Sequence, residues 1–349
     1  MAKRKADDAA DRDTMAKCTA GDGDKDTNKP LRLTRKNLAL LNSLNGDNSD
    51  NDNDSDNSGY PESDSDMVNR KGTLSTTTSG FEARAYENGI LDPTASKPAQ
   101  DLDIIRHRLS RRRSSTQPSE HTHQQYCRDI SDSFNEATAS QDIQSDVMKK
   151  YNDLNYGKMN QRAITGIPEQ VFKKGLSNPH PDRLDGFKTK ALPSHMHSHA
   201  LHTGKNSLSL CHFAAEFKRI DGNLNQAAYQ AAYDGATLVY ARDQALAEAK
   251  VDAASVQGLG AVVNKVAKET AVVTCATDGK VAEVFAHHFQ NGEYHQNLVA
   301  RESLLDYPNK GRELIRNAQD FARAKSYELL ALLDADLKEE EEEKEEEQA

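Results

Sequence analysis

The chain has 349 residues, of which 36% are hydrophobic, and it carries a formal net charge of −10. Its length would accommodate two domains, but the first 125 residues are too rich in polar and charged side chains to bury the apolar surface that offsets the entropy of ordering. Composition therefore excludes two cored domains of similar size, and the lack of any run of 18 apolar residues excludes a membrane-spanning helix.

Residues 1–125 are predicted to form a disordered arm of mixed acidic and basic character. Residues 47–66 are an acidic low-complexity tract, flanked by basic clusters at residues 3–5 and 106–113. Such clusters are either nuclear import signals or solvated charge runs. The opening residues contain no apolar segment and the four cysteines form no CxxC pair, so we expect an intracellular protein, located in the nucleus if the clusters act as signals and in the cytoplasm otherwise.

Residues 126–160 are predicted to be a partly helical lead-in, and residues 161–337 a single domain. Within that domain the patterns of apolar and turn-forming residues predict strands near 182–188 and at 207–217, a helix at 224–250, strands at 270–276, 281–290 and 293–302, and a closing helix at 311–337. This order predicts the α/β class, with one mixed sheet flanked by helices. Residues 338–349 carry eight Glu and are predicted to be a disordered acidic tail.

Gly235 stands inside the long predicted helix. An internal glycine weakens a helix by about 1 kcal/mol relative to alanine, so such a residue needs a packing reason. We therefore expect the helix to approach the sheet closely at this position.

Three charged residues interrupt the predicted strands: Asp182 where the first strand begins, and Glu216 and Lys218 at the end of the second. Residues two apart on a strand face the same side, and burying unpaired charge is costly, so the cluster needs an explanation. Metal-assisted phosphodiester hydrolysis supplies one, because two carboxylates can hold Mg²⁺ or Mn²⁺ beside a lysine that orients or deprotonates water. The alternative is a surface strand end with an exposed Glu–Lys pair.

Residues 175–337 resemble a large fungal family of PD-(D/E)XK nuclease-like domains, most of them functionally uncharacterised. The resemblance rests on GLSNPHPDRLDGF at 175–187, CHFAAEFKR at 211–219 and NLNQAAYQAAYDGATLVYARDQALA at 223–247, and it continues through TDGKVAEVFAHHF, EYHQ and GRELIRNAQDFARAKSYEL. It implies a restriction-endonuclease-like core, Mg²⁺ or Mn²⁺ as cofactor, and DNA or RNA as partner. Neither an oligomeric state nor a membrane association is implied.

Carried over by position, the resemblance makes Asp182 the first metal ligand, Glu216 the second and Lys218 the catalytic lysine. Gln226 and Gln230, one turn apart on the next helix, become supporting residues at the active site or the nucleic-acid backbone.

Two further positions follow from the same resemblance. Glu169 is a candidate for an acidic residue on an earlier helix. Asp185 is charged where the strand is expected to be apolar, so it competes with Asp182 as metal ligand.

The resemblance leaves two functions open. One is a divalent-metal-dependent nuclease that hydrolyses phosphodiester bonds. The other is a catalytically inactive protein that keeps the nuclease fold and acts as an interaction module. Residues 161–337 carry equal numbers of basic and acidic residues, which slightly favours the second, since nucleic-acid binders often have a basic domain.

Overall fold

The computed structural model describes residues 74–113, 118–168, 171–172, 175–201, 206–252 and 259–346. The chain divides into two units, Met1–Pro61 and Glu62–Ala349. The first unit lies wholly outside the described residues. The basic cluster at residues 3–5 and the acidic tract at residues 47–66 lie outside them too.

The second unit contains seven described helices and six strands. The helices are α1 (Phe81–Glu87), α2 (Leu102–Leu109), α3 (Glu120–Asp132), α4 (Glu136–Asp146), α5 (Leu224–Asp252), α6 (Leu259–Lys268) and α7 (Pro308–Glu346). The strands are β1 (Tyr156–Asn160), β2 (Arg183–Lys188), β3 (Leu208–Phe217), β4 (Val272–Thr277), β5 (Val281–Gln290) and β6 (Glu293–Ser303). Two short 3₁₀ helices, Thr189–Ala191 and Ser194–His199, follow β2.

The six strands form one sheet in the order β1-β2-β3-β4-β5-β6. Only the β3–β4 pair is parallel, and α5 lies between these two strands in sequence. The other neighbours are antiparallel. The predicted α/β class, mixed sheet and final three-stranded meander are confirmed. The sequence did not reveal β1, because only Tyr156 of its five residues is buried and no alternation marks it.

Helices cover both faces of the sheet, and β3 is buried along its whole length between them. Ala214 packs in one cluster with Leu238 and Val239 of α5. Phe213 and Phe217 point to the opposite face, where they share a cluster with α7. Because successive side chains of a strand alternate between faces, even-numbered residues of β3 near its end face α5 and odd-numbered residues face α7.

Gly235 lies where α5 approaches β5. A Cβ atom added at this position would lie 2.3 Å from Nδ1 of His287. His287 is buried and its Nε2 is 2.7 Å from the Thr274 hydroxyl, so its ring is not free to move aside. The expectation that Gly235 permits a close approach between helix and sheet is confirmed.

The arm predicted for residues 1–125 extends too far along the chain. Helices α1 and α2 and the start of α3 fall within it, and they contribute buried side chains, among them Phe81, Ile105 and Leu109. Arg113, from the basic cluster at residues 106–113, donates to Asp320 at 2.8 Å. The low overall hydrophobicity of this segment hid apolar residues that are few but spaced for packing.

The closing helix is longer than predicted. It was expected to end at residue 337 before a disordered tail at 338–349, but α7 continues through the glutamate run to Glu346. Glutamate is a good helix former, so the run extends a helix that the core has already nucleated. Among the described helices, none combines the length and apolar character needed to cross a bilayer.

Candidate functional site

The strand register brings Asp182 and Glu216 together. Arg183 of β2 pairs with Ala215 of β3 in an antiparallel ladder. The next pair outward is therefore Asp182 opposite Glu216, and directly opposed residues of an antiparallel pair share one face. Both side chains are largely buried, at 9% and 3% exposure.

Asp182 is held by the backbone beside Glu216. Its Oδ2 accepts a hydrogen bond from the amide of Phe217 at 2.8 Å. Gln161, just after β1, donates through its side chain to the same carboxylate. Burial is the largest influence and raises the pKa of Asp182, although the Phe217 amide and Lys218 act in the opposite direction.

Glu216 shares a hydrogen bond with Asp234 of α5, a residue that the sequence analysis did not select. Both carboxyls are buried, and burial raises the pKa of Asp234 to about 7. Burial and then the nearby Asp234 and Asp182 carboxyls hold the pKa of Glu216 well above its usual range. Two carboxyls in contact cannot both ionise without a large repulsion, so the pair retains a proton near neutral pH.

Lys218 lies one residue beyond the end of β3 and is 5% exposed. Its ammonium group donates to Oε1 of Glu136 at 2.8 Å. Glu136 is half exposed and stands in the first turn of α4. Because Lys218 also lowers the pKa of Asp182 and Glu216 through its charge, it contributes the positive charge of the cluster. The predicted convergence of Asp182, Glu216 and Lys218 is present.

Asp185 does not reach this cluster, which corrects the alternative that it competes with Asp182 as a ligand. It is fully buried and accepts from Nε of Arg183 at 2.8 Å and from Nε2 of Gln319 at 2.8 Å. Gln319 belongs to α7, on the face opposite α5. Residues 182 and 185 are an odd number of positions apart, so the pleat directs them to different faces.

The two predicted glutamines lie in the first turns of α5. Gln230 is buried, one turn before Asp234, and its Nε2 donates to the Thr76 hydroxyl at 2.9 Å. Its Oε1 is buried without a hydrogen-bond partner in the described chain. Gln226 is half-buried, and its backbone amide donates to the Asn223 side chain that caps the helix. Glu169, the third supporting candidate, lies outside the described residues.

Two acidic residues of the cluster escaped the sequence analysis. Glu136 was missed because a helix was expected at 141–152, whereas α4 begins at Glu136 behind an Asn135 cap that accepts from the Thr138 amide. That Asn followed by Glu is a helix-start signal. Asp234 is the one carboxylate in the alanine-rich stretch AAYDGATL, and a lone charge in a buried helix segment could have marked it.

The donor atoms suit a hard cation, although they do not form a preassembled site. Within the described ranges, no group of three or more His, Cys, Asp and Glu side chains has metal-binding geometry. However, Oδ2 of Asp234 is buried with no hydrogen-bond partner among the described residues. Carboxylate oxygens are the ligands that Mg²⁺ and Mn²⁺ prefer. A divalent cation could therefore be held by Asp182 and Glu216, with the proton of the Glu216–Asp234 pair released.

We expect the Glu216–Asp234 pair to make the protein less stable as the pH rises from about 4 to about 7. Asp234 holds its proton to a higher pH when folded than when unfolded, so its stabilising contribution is complete at low pH and is lost as the pH rises through its folded pKa. Each unit of pKa difference corresponds to about 1.4 kcal/mol. Urea unfolding at several pH values should show a shallower decline for Asp234→Asn.

The control for this measurement is Asp103→Asn, which changes an exposed carboxyl outside the cluster. Its unfolding free energy should follow the wild-type pH dependence. If the wild type and Asp234→Asn decline in parallel, the buried pair does not hold the proton assigned to it.

Comparisons with known proteins place no name on this geometry. No protein-family model, curated protein or solved structure matches the chain. The argument for function therefore depends on the residues of the cluster and their surroundings.

Proposed function

We propose that this protein is a divalent-metal-dependent nuclease of the PD-(D/E)XK type, with a restriction-endonuclease-like core. The observation that supports this most directly is the meeting of Asp182, Glu216 and Lys218 at the adjoining ends of β2 and β3, with a buried acidic pair that keeps a proton. Buried carboxylates with raised pKa values beside a lysine are costly to a fold and are typical of functional sites.

Asp182 and Glu216 would hold the cation, and Lys218 would orient the attacking water and offset the charge that develops on the phosphate. When bound, Mg²⁺ or Mn²⁺ supplies the polarisation of the phosphate and lowers the pKa of a coordinated water. Glu136 now holds the Lys218 ammonium at 2.8 Å. Because Glu136 is half exposed, it marks the side from which a substrate could reach the lysine.

A second candidate is a non-catalytic interaction protein with the same core. The observation that favours it is the burial of Glu216 and Lys218, which are 3% and 5% exposed and already hydrogen-bonded within the protein. In this alternative the acidic pair and the lysine are a buried structural network.

The test is incubation of the purified full chain with single- and double-stranded DNA and RNA in Mg²⁺, Mn²⁺ or EDTA. We expect cleavage with either cation and none in EDTA. Glu216→Gln should be inactive, whereas the exposed control Glu87→Gln should match the wild type. A wild-type protein that cleaves none of the four substrates in either metal would contradict the nuclease and support the interaction module.

A further inference from the structure

A groove of about 760 Å³ lies between α4 and the edge strand β1. One end reaches Ala137, next to Glu136, and Gln161, which donates to Asp182. The other end reaches Tyr156 and Lys188. The groove therefore begins beside the acidic cluster and runs away from it along β1.

The groove is basic although the chain as a whole is acidic. Five cationic side chains line it and only one carboxylate, Asp153, does so; the cations are Lys149, Lys150, Lys158, Lys188 and Arg183. A second groove, beside β5, has instead two cations, Arg242 and Lys268, and two carboxylates, Asp243 and Glu269. The balanced charge of the domain thus hides an uneven distribution.

We infer that this groove binds the sugar-phosphate backbone of a nucleic acid and leads it to the acidic cluster. The inference rests on the proposed function and adds the surface on which the substrate lies. Lys150 and Lys158 are exposed, as are Gln141, Ser145 and Asn160 between them. Lysines mixed with amide and hydroxyl side chains are the set that contacts phosphate and sugar.

The dimensions and shape agree with an extended polyanion. The five residues of β1 span about 16 Å at about 3.3 Å per residue. One strand of a duplex advances about 3.4 Å per phosphate, so the groove has room for about four or five phosphates. A concave channel of this kind fits an extended chain, whereas a bilayer presents a broad flat surface.

Part of the basic lining is held in place by the protein itself. Lys149 pairs with Asp320 and Arg183 pairs with Asp185. The ammonium of Lys158 donates to Gln144 at 3.2 Å, a neutral partner that leaves its charge uncompensated. Lys150 and Lys158 are therefore the residues whose charge a phosphate would neutralise, and both can be changed without breaking an ion pair.

The experiment is fluorescence anisotropy of the full chain with labelled single-stranded and duplex oligonucleotides in EDTA, over a series of NaCl concentrations. The double variants Lys150→Glu/Lys158→Glu and Lys150→Gln/Lys158→Gln are compared with Lys265→Glu/Lys310→Glu, which reverses two exposed lysines outside the groove. We expect the groove variants to bind at least tenfold more weakly, with a salt slope smaller by roughly 0.7–0.9 for each phosphate that the protein no longer neutralises. The control should remain within twofold of the wild type.

Several outcomes separate this inference from the proposed nuclease activity. Binding that depends on Lys150 and Lys158, without cleavage in any metal, supports the groove and contradicts the nuclease. Unchanged binding by the groove variants overturns the groove, even where cleavage is observed. Wild-type protein that does not bind oligonucleotide at low salt, or that binds polyglutamate or anionic vesicles as tightly with the same lysine dependence, also overturns it.

Discussion

Replacement of Asp185 by Ala should lower the free energy of unfolding by about 3–5 kcal/mol, the usual cost of removing one partner from a buried ion pair. Asp185 is fully buried and Arg183 is 2% exposed. The two make a bidentate pair, with Nε to Oδ1 at 2.8 Å and Nη2 to Oδ2 at 3.2 Å. Without the carboxylate, the guanidinium would remain buried with no opposite charge. Urea denaturation, analysed at constant m value, measures the loss.

Two further variants show whether the cost comes from the orphaned charge. Arg183→Met/Asp185→Leu removes both charges and should recover much of the stability, because apolar replacements of a buried pair are often neutral or stabilising. Asp103→Ala breaks an exposed pair with Arg106, and we expect it to cost less than about 1 kcal/mol. A loss below about 1 kcal/mol for Asp185→Ala would show that the pair contributes little to the fold.

Replacement of Lys218 by Met should reduce metal-dependent cleavage at least 100-fold if the proposed function is correct. A positioned proton-transfer group or charge-stabilising donor typically contributes about 10²-fold or more. Methionine keeps much of the length and apolar character of the lysine stem, so the fold should survive the change. The measurement is the single-turnover cleavage rate in Mg²⁺, with circular dichroism to check folding.

The matched control is Lys268→Met, which removes an exposed lysine at the end of α6. It should cleave at the wild-type rate. Lys218→Met should still bind oligonucleotide through the groove in EDTA, since Lys218 does not line it. Full cleavage activity in Lys218→Met would show that this lysine has no part in the reaction.

Local sequence patterns were sufficient for the elements that dominate the sheet. The Asp-Gly and Asn-Gly pairs at 278–279 and 291–292 predicted the two hairpins of the meander, because only a few residue types adopt those turns readily. The spacing of charges around β2 and β3 selected Asp182, Glu216 and Lys218, and the structure brings all three together. Alternation along a strand depends only on the pleat, so it can be read without knowing the partner strands.

Tertiary structure decided what the pattern left open. Whether Asp182 or Asp185 faces Glu216 depends on register, and a shift of one residue would have exchanged their faces. Asp234 and Glu136 joined the cluster from helices that lie 18 residues after and 80 residues before Glu216 in sequence. Their contribution depends on packing across the sheet, which no local pattern encodes.

The sequence by itself determined the α/β class, the meander and the three charged residues at the ends of β2 and β3, because periodicity and turn chemistry are local properties. Only the tertiary structure decided that Asp185 belongs to a buried ion pair, that Glu216 shares a proton with Asp234, and that α4 and β1 together form a basic groove. Each of these depends on which distant side chains meet in a low-dielectric interior or along one edge of the sheet, where burial and neighbouring charges govern the chemistry of a residue.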